Sequence, residues 1–197
     1  MSVTQAHAPW TKPWPGPPAH LTAQIAGCVP ALETDSLIMR APRLSDYPIY
    51  SGFVRADRGA GLARGDFDRP SWHDFCEMVA GWALRGFGPW TLETKSDAEP
   101  VGLIVIGLEY GDPEPEIGWL VTPEAEGCGY ATEAASRALR WAFESHGFAT
   151  LVSFIDHDHN PSIRVAERLG AMRDPVAEAE LDCRVYRHRA GGTQQWT

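Results

Sequence analysis

The residues best suited to chemistry in this chain sit in a glycine-rich turn. Gly127, Gly129 and the small Ala131 alternate where a helix is predicted to open. The first amides of a helix have no partner inside it, and that end carries about half a positive charge. Glycines let the backbone come close to an oxygen-rich anion. The amides from Gly127 to Thr132 therefore suit a phosphate or pyrophosphate without any lysine. By spacing alone the same residues also make an ordinary tight turn. Thr132 fills the third-glycine slot of a dinucleotide fingerprint, and the Gly-Lys-Ser/Thr of a P-loop is missing. Dinucleotides and nucleoside triphosphates are thus demoted as ligands.

Other reactive side chains carry less. Asp156-His-Asp-His159 has metal-ligand types at tight spacing, and strand alternation would point His157 and His159 to one side. Such a pair does not complete a metal site, so no metal is expected. Cys128 stands in the turn itself, where a thiol at a helix N-terminus is activated, but turn filler explains it better. Arg55, Arg58, Arg64 and Arg69 either line a substrate mouth or decorate a solvated loop.

The elements that must hold this turn can be read from periodicity. Ser36–Arg40 alternates as a short strand. Ser45 is placed to cap a helix reaching about Arg55, with Pro48 tolerated in its first turn. Ser71 and Asp74 resemble a capping box, and Trp72, Phe75, Cys76, Val79 and Trp82 follow at helical spacing until about Gly86. Trp90–Thr94, Val101–Leu108 and Glu116–Val121 read as strands joined by short turns, hence an antiparallel meander. The glycine turn opens the next helix, Leu151–Ile155 forms a strand, and Pro161 starts a helix that Gly170 closes. Leu181–Tyr186 is the last strand. The order predicts an α/β (α+β) fold with a mixed sheet.

Residues 1–27 differ in composition. Five prolines between Pro9 and Pro18 alternate with Trp10, Trp14 and Gly16, a density that argues against helix and for an extended tail. Two tryptophans are costly to leave in water, so the tail is expected to dock on its own domain or on a second subunit. The organisation is therefore an extension over 1–27, one domain over 28–190 and a short tail over 191–197.

Two blocks resemble a known family. Pro123-Glu-Ala-Glu-Gly-Cys-Gly-Tyr-Ala-Thr-Glu-Ala-Ala135, followed by Ala138-Leu-Arg-Trp-Ala-Phe143, resembles the coenzyme A loop and helix of GCN5-related N-acetyltransferases (GNATs). The likeness is strongest to the branch that acetylates ribosomal protein N-termini. The loop of that family reads Q/R-x-x-G-x-G/A, and here Glu126 takes the place of Gln or Arg. Asp156-His-Asp-His-Asn-Pro-Ser-Ile-Arg-Val-Ala-Glu-Arg-Leu-Gly-Ala171 is similar to its N-x-x-S…A-E-K-L-G-F segment. His159 stands at the usual asparagine, with Asn160 one place late.

The resemblance implies a splayed central sheet flanked by helices, with acetyl-CoA as acyl donor and an amine attacking the thioester directly. Main-chain groups of Trp119, Leu120 and Val121 would pair with the pantetheine amides as an added strand. The loop Glu126, Gly127, Cys128, Gly129, Tyr130, Ala131 and Thr132 would hold the pyrophosphate, with His159 and Asn160 nearby. A lysine amine is only about 0.04% neutral at pH 7 and an α-amine about 10%, so a base helps either one. Glu116, at the start of the central strand, is the first candidate; Glu109, Asp156 and His157 are weaker. The leaving thiolate benefits from a proton. The tyrosine many members use is missing here, since the matching positions hold Ala166 or Glu167, which leaves Ser162 for that role.

Composition bounds the rest. Of 197 residues, 26 are acidic and 17 basic, a formal net charge of −9, which argues against a nucleic-acid partner and mildly for a cationic one. No apolar run approaches the roughly 20 residues of a membrane helix, and the N-terminus lacks a signal-peptide pattern. The four scattered cysteines fit a reduced, cytoplasmic protein. The expected acceptor is a small-molecule or peptide amine, and a homodimer is expected from the tail. The alternative to an N-acetyltransferase is a non-catalytic acyl-CoA-binding module.

Overall fold

The computed structural model describes residues 9–57 and 69–191. Its helices are α1 (Pro17–Gly27), α2 (Tyr47–Asp57), α3 (Arg69–Leu84), α4 (Tyr130–Glu144), α5 (Asn160–Arg168) and α6 (Pro175–Glu178). Its strands are β1 (Leu32–Glu33), β2 (Leu37–Arg40), β3 (Pro89–Thr94), β4 (Pro100–Gly107), β5 (Glu116–Val121), β6 (Thr150–Ile155), β7 (Met172–Arg173) and β8 (Arg184–Arg189). They form one sheet in the order β1-β2-β3-β4-β5-β6-β8-β7. Among the described residues the one parallel neighbour pair is β5–β6. The mixed sheet and the β3–β4–β5 meander are as the sequence predicts.

Alternation along the strands builds two apolar layers. Ile104 and Ile106 of β4, with Ile117 of β5, face α4 and pack with Ala134, Ala135, Ala138, Leu139 and Ala142. Four alanines on that helix face keep side chains short, which lets α4 lie close behind the glycine turn and fixes where its N-terminus points. Leu103 faces the other way, with Tyr47, Tyr50 and Phe75 from α2 and α3; Leu120 of β5 packs there too. Glu116 shares the face of Leu120, whereas Trp119 shares that of Ile117.

Several local expectations change. Proline density does not keep the tail extended: Pro17 and Pro18 occupy the first turn of α1, where missing N–H groups cost nothing, and Ala19–Ala26 continue the helix. Within α1 no residue is buried. Ser45 lies inside a 3-10 turn, Leu44–Asp46, and Asp46 instead accepts the Arg43 amide at 2.8 Å. Ser71 lies inside α3, which begins two residues earlier, and its hydroxyl meets that of Tyr47 at 3.0 Å. The last strand is Arg184–Arg189, not 181–186. Arg58 and Arg64 lie outside the described residues.

Candidate active site

The site begins where β5 and β6 part. They are in register at one position, Glu116 opposite Val152, and the Val152 amide donates to the Pro115 carbonyl at 3.2 Å. One step on, the Ile117 carbonyl accepts from the Ser153 hydroxyl at 2.7 Å. A side chain there occupies the place of a ladder amide, and beyond it the strands diverge into a V. Arg187 of β8 clamps the closed end. Its guanidinium binds the Glu114 carboxylate through two nitrogens at 2.5 and 2.7 Å, Asp174 at 2.7 Å and the Thr150 hydroxyl at 3.2 Å.

At the vertex, Glu116 is pushed up to about 7. Burial is the main cause, and the carboxylates of Asp112 and Glu109 add to it. Glu109 is itself raised, by desolvation and by Asp112, Asp74 and Glu77. The face that carries Glu116 is thus acidic. A small cleft near it is lined by the charged Glu77, Glu109 and Arg85, with Met78, Phe87 and Leu108.

The opposite face of β5 carries the other candidate. Ser162 Oγ accepts from the Trp119 indole N–H at 3.1 Å, which ties α5 across the V to β5. That bond uses an acceptor site, and among the described residues no partner takes the Ser162 proton. Ser162 does not cap α5; His159 holds the N-cap position with its backbone carbonyl accepting from the Ile163 amide at 3.2 Å. His159 and Asn160 are both exposed beside the helix start. Glu116 and Ser162 therefore approach the V from opposite faces and do not meet.

The loop at the open end has the expected form. Gly127 and Gly129 have φ of 77° and 84°, in the left-handed region that favours glycine. A Cβ built on either would meet nothing within 4 Å, so their outward sides are open. Glu126, Gly127, Cys128 and Gly129 are exposed, while Tyr130, Ala131 and Thr132 are half-buried at the start of α4. Among the described residues the amides of Gly127, Gly129, Tyr130, Ala131 and Thr132 donate to no backbone carbonyl. A V-shaped slot leading to unpaired amides at a helix N-terminus fits a long, amide-bearing ligand with a pyrophosphate.

Residues of the other block separate. His157 lies 3.7 Å from the Asp182 carboxylate, and Asp156 points to solvent. Among the described residues no three His, Cys, Asp or Glu side chains gather as metal ligands would.

Residues 36–172 match the sequence pattern of the acetyltransferase (GNAT) domain. The chain belongs to the GNAT family. An acetyltransferase from Agrobacterium tumefaciens strain C58 is 36% identical, with a TM-score of 0.74 over 82% of this GNAT chain and 95% of the other. RimJ of Mycobacterium smegmatis, solved in complex with CoA-disulfide, is 19% identical; its TM-score is 0.63 over 85% of this chain and 90% of its own, a likeness of fold. The uncharacterized N-acetyltransferase YnaD of Bacillus subtilis is 31% identical over 74 residues, 38% of this chain and 44% of YnaD. The chain spans about half the length of the curated relatives it matches.

Sequence reasoning missed Ser153, His188, Glu114 and Arg187. A serine inside the apolar run Leu151–Ile155 was the available signal; His188 lies past Tyr186, where the last strand read from the sequence ends.

Proposed function

We propose that this GNAT protein transfers the acetyl group of acetyl-CoA to a primary amine, by direct attack of the amine on the thioester carbonyl. The observation that carries the reading is Glu116, a carboxyl held at about 7 where the two parallel strands part. A base with a pKa near the working pH both accepts a proton and exists in its basic form. Glu116 takes the ammonium proton, directly or through one water, from the acidic face of the sheet. The acidic groups around it favour a cationic acceptor approaching from that side. Pantetheine lies along Trp119, Leu120 and Val121, and the pyrophosphate lies on the 126–132 loop beside His159 and Asn160. Ser162, on the far face, donates its free proton to the departing thiolate. Residues 28–190 form the catalytic unit, the acceptor is a peptide N-terminus or small amine, and the protein works as a cytoplasmic homodimer.

The test is the pH–rate profile of wild type and Glu116→Gln with a thiol-release assay. Wild-type activity rises through about pH 7 as Glu116 ionises. Glu116→Gln loses about 10²–10⁴-fold at neutral pH. Its activity recovers near pH 8–9 for an α-amine, or near 10 for a lysine-like amine, where the acceptor sheds its proton unaided. Superimposable profiles would remove Glu116 from the mechanism. One observation favours a second reading, an acyl-CoA-binding module without turnover: Glu126 replaces the usual Gln or Arg, and Ala166 or Glu167 the usual tyrosine. Tight CoA binding with no thiol release from any amine would select it.

A further inference from the structure

The opening between β5 and β6 is set by side chains rather than by a backbone ladder. Ser153 is 2% exposed and His188 1%, on adjacent strands. The single Ser153 proton goes to the Ile117 carbonyl at 2.7 Å. The Ser153 oxygen lies 3.1 Å from His188 Nε2. With its own proton committed, Ser153 must accept there, so His188 donates through Nε2–H and is the Nε2-protonated tautomer. Its Nδ1 then holds a bare lone pair, buried and without a partner. Leaving a buried polar atom unsatisfied costs stability. The arrangement therefore spends stability to hold one hydroxyl in one rotamer. The edge of the His188 ring also meets Trp119, with centroids 6.5 Å apart, on the face where Trp119 binds Ser162.

We infer that Ser153 and His188 are positioning residues that fix the width of the β5–β6 opening and thereby the fit of the pantetheine arm. The inference rests on the reading that CoA lies in this opening. A regular backbone rung at Ile117 would zip the strands one step further and shorten the slot. No bond at all would leave the Ile117 carbonyl buried and unpaired, and the strands free to shift. The serine hydroxyl satisfies the carbonyl while keeping the strands apart, and His188 keeps the hydroxyl from turning elsewhere. Neither residue is required to touch the reacting atoms.

The test compares CoA dissociation constants by calorimetry and steady-state kinetics for wild type, Ser153→Ala, His188→Leu and His188→Gln. Ser153→Ala is expected to raise both Kd for CoA and KM for acetyl-CoA by about 10-fold, the size of one lost hydrogen bond. Its kcat at saturating acetyl-CoA and its KM for the amine should stay within about twofold. His188→Leu should move the same two constants in the same direction. His188→Gln places an N–H donor near the same point and should restore them. A lowered Tm with unchanged CoA Kd in Ser153→Ala and His188→Leu would overturn the inference, as would failure of His188→Gln to bind better than His188→Leu. If Ser153→Ala does not fold, the two His188 variants decide alone. Wild-type protein that binds no CoA would instead refute the proposed function, which separates the two failures.

Discussion

A carboxyl raised to about 7 has a signature in stability as well as in rate. The folded protein holds the Glu116 proton up to about pH 7, whereas the unfolded chain releases it near its ordinary value of 4.5. Between those values the native state binds more protons, so this group destabilises the fold as pH rises. Glu116→Gln removes that penalty. Its Tm should match wild type near pH 4 and exceed it at pH 8, by the equivalent of about 2–3 kcal/mol after allowance for solvent screening. Thermal scans across that range check it; a Gln variant less stable than wild type at pH 8 would show that burial does not strain Glu116. His188 has the opposite sign: burial lowers it to about 4, so its contribution is lost as pH falls from 6.5. Glu116 was legible from the sequence, as a carboxylate opening an apolar strand. Its elevated pKa was not, because its main cause is burial at the strand junction, to which the carboxylates of Asp112 and Glu109 add. His188 was illegible for a similar reason, since its partner Ser153 is 35 residues away.

At the scale of elements, the glycine turn depends on backbone conformation more than on side chains. Gly129 sits at φ 84° as the N-cap of α4. A β-branched residue there incurs about 1–2 kcal/mol of left-handed strain, or flips the turn to escape it. Gly129→Val should therefore lose most CoA affinity, and hydrogen exchange should show that CoA no longer protects amides 127–132. Unchanged protection in that variant would mean the loop is not where the pyrophosphate binds. The sequence marked this turn, α4 and the central strands well, because glycine spacing and apolar periodicity are local signals. It missed the short edge strands β1 and β7 and the helix α6, which are two to four residues long and exist through their neighbours. It also misread α1, because prolines in a first turn are helix-starting rather than helix-breaking.

At the scale of the whole molecule, the N-terminal segment exposes apolar side chains. Leu21 and Ile25 stand on one side of α1, both more than half exposed, and Trp14 is 77% exposed. If a second copy covers these residues, light scattering should report a dimer for the full chain and a monomer for one starting near Ala26. Two monomers at micromolar concentration would leave the segment without that role. The net charge of −9, which becomes −10 when Lys12 is removed with the segment, disfavours nonspecific clumping in both species.

The single registered rung between β5 and β6 has a consequence for how the protein comes apart. It divides the sheet into a five-stranded and a three-stranded portion, joined at the seam by Val152, Ser153 and the Arg187 clamp. Cooperative units of native proteins tend to follow such seams. The β6–β8–β7 portion should therefore open as a foldon below the free energy of global unfolding, and its amides should exchange sooner than those of β3 and β4. A ligand seated in the slot touches both portions, so it acts as a noncovalent staple. Saturation with CoA should bring the two exchange rates together, turning a protein with two breathing modes into one that unfolds all at once.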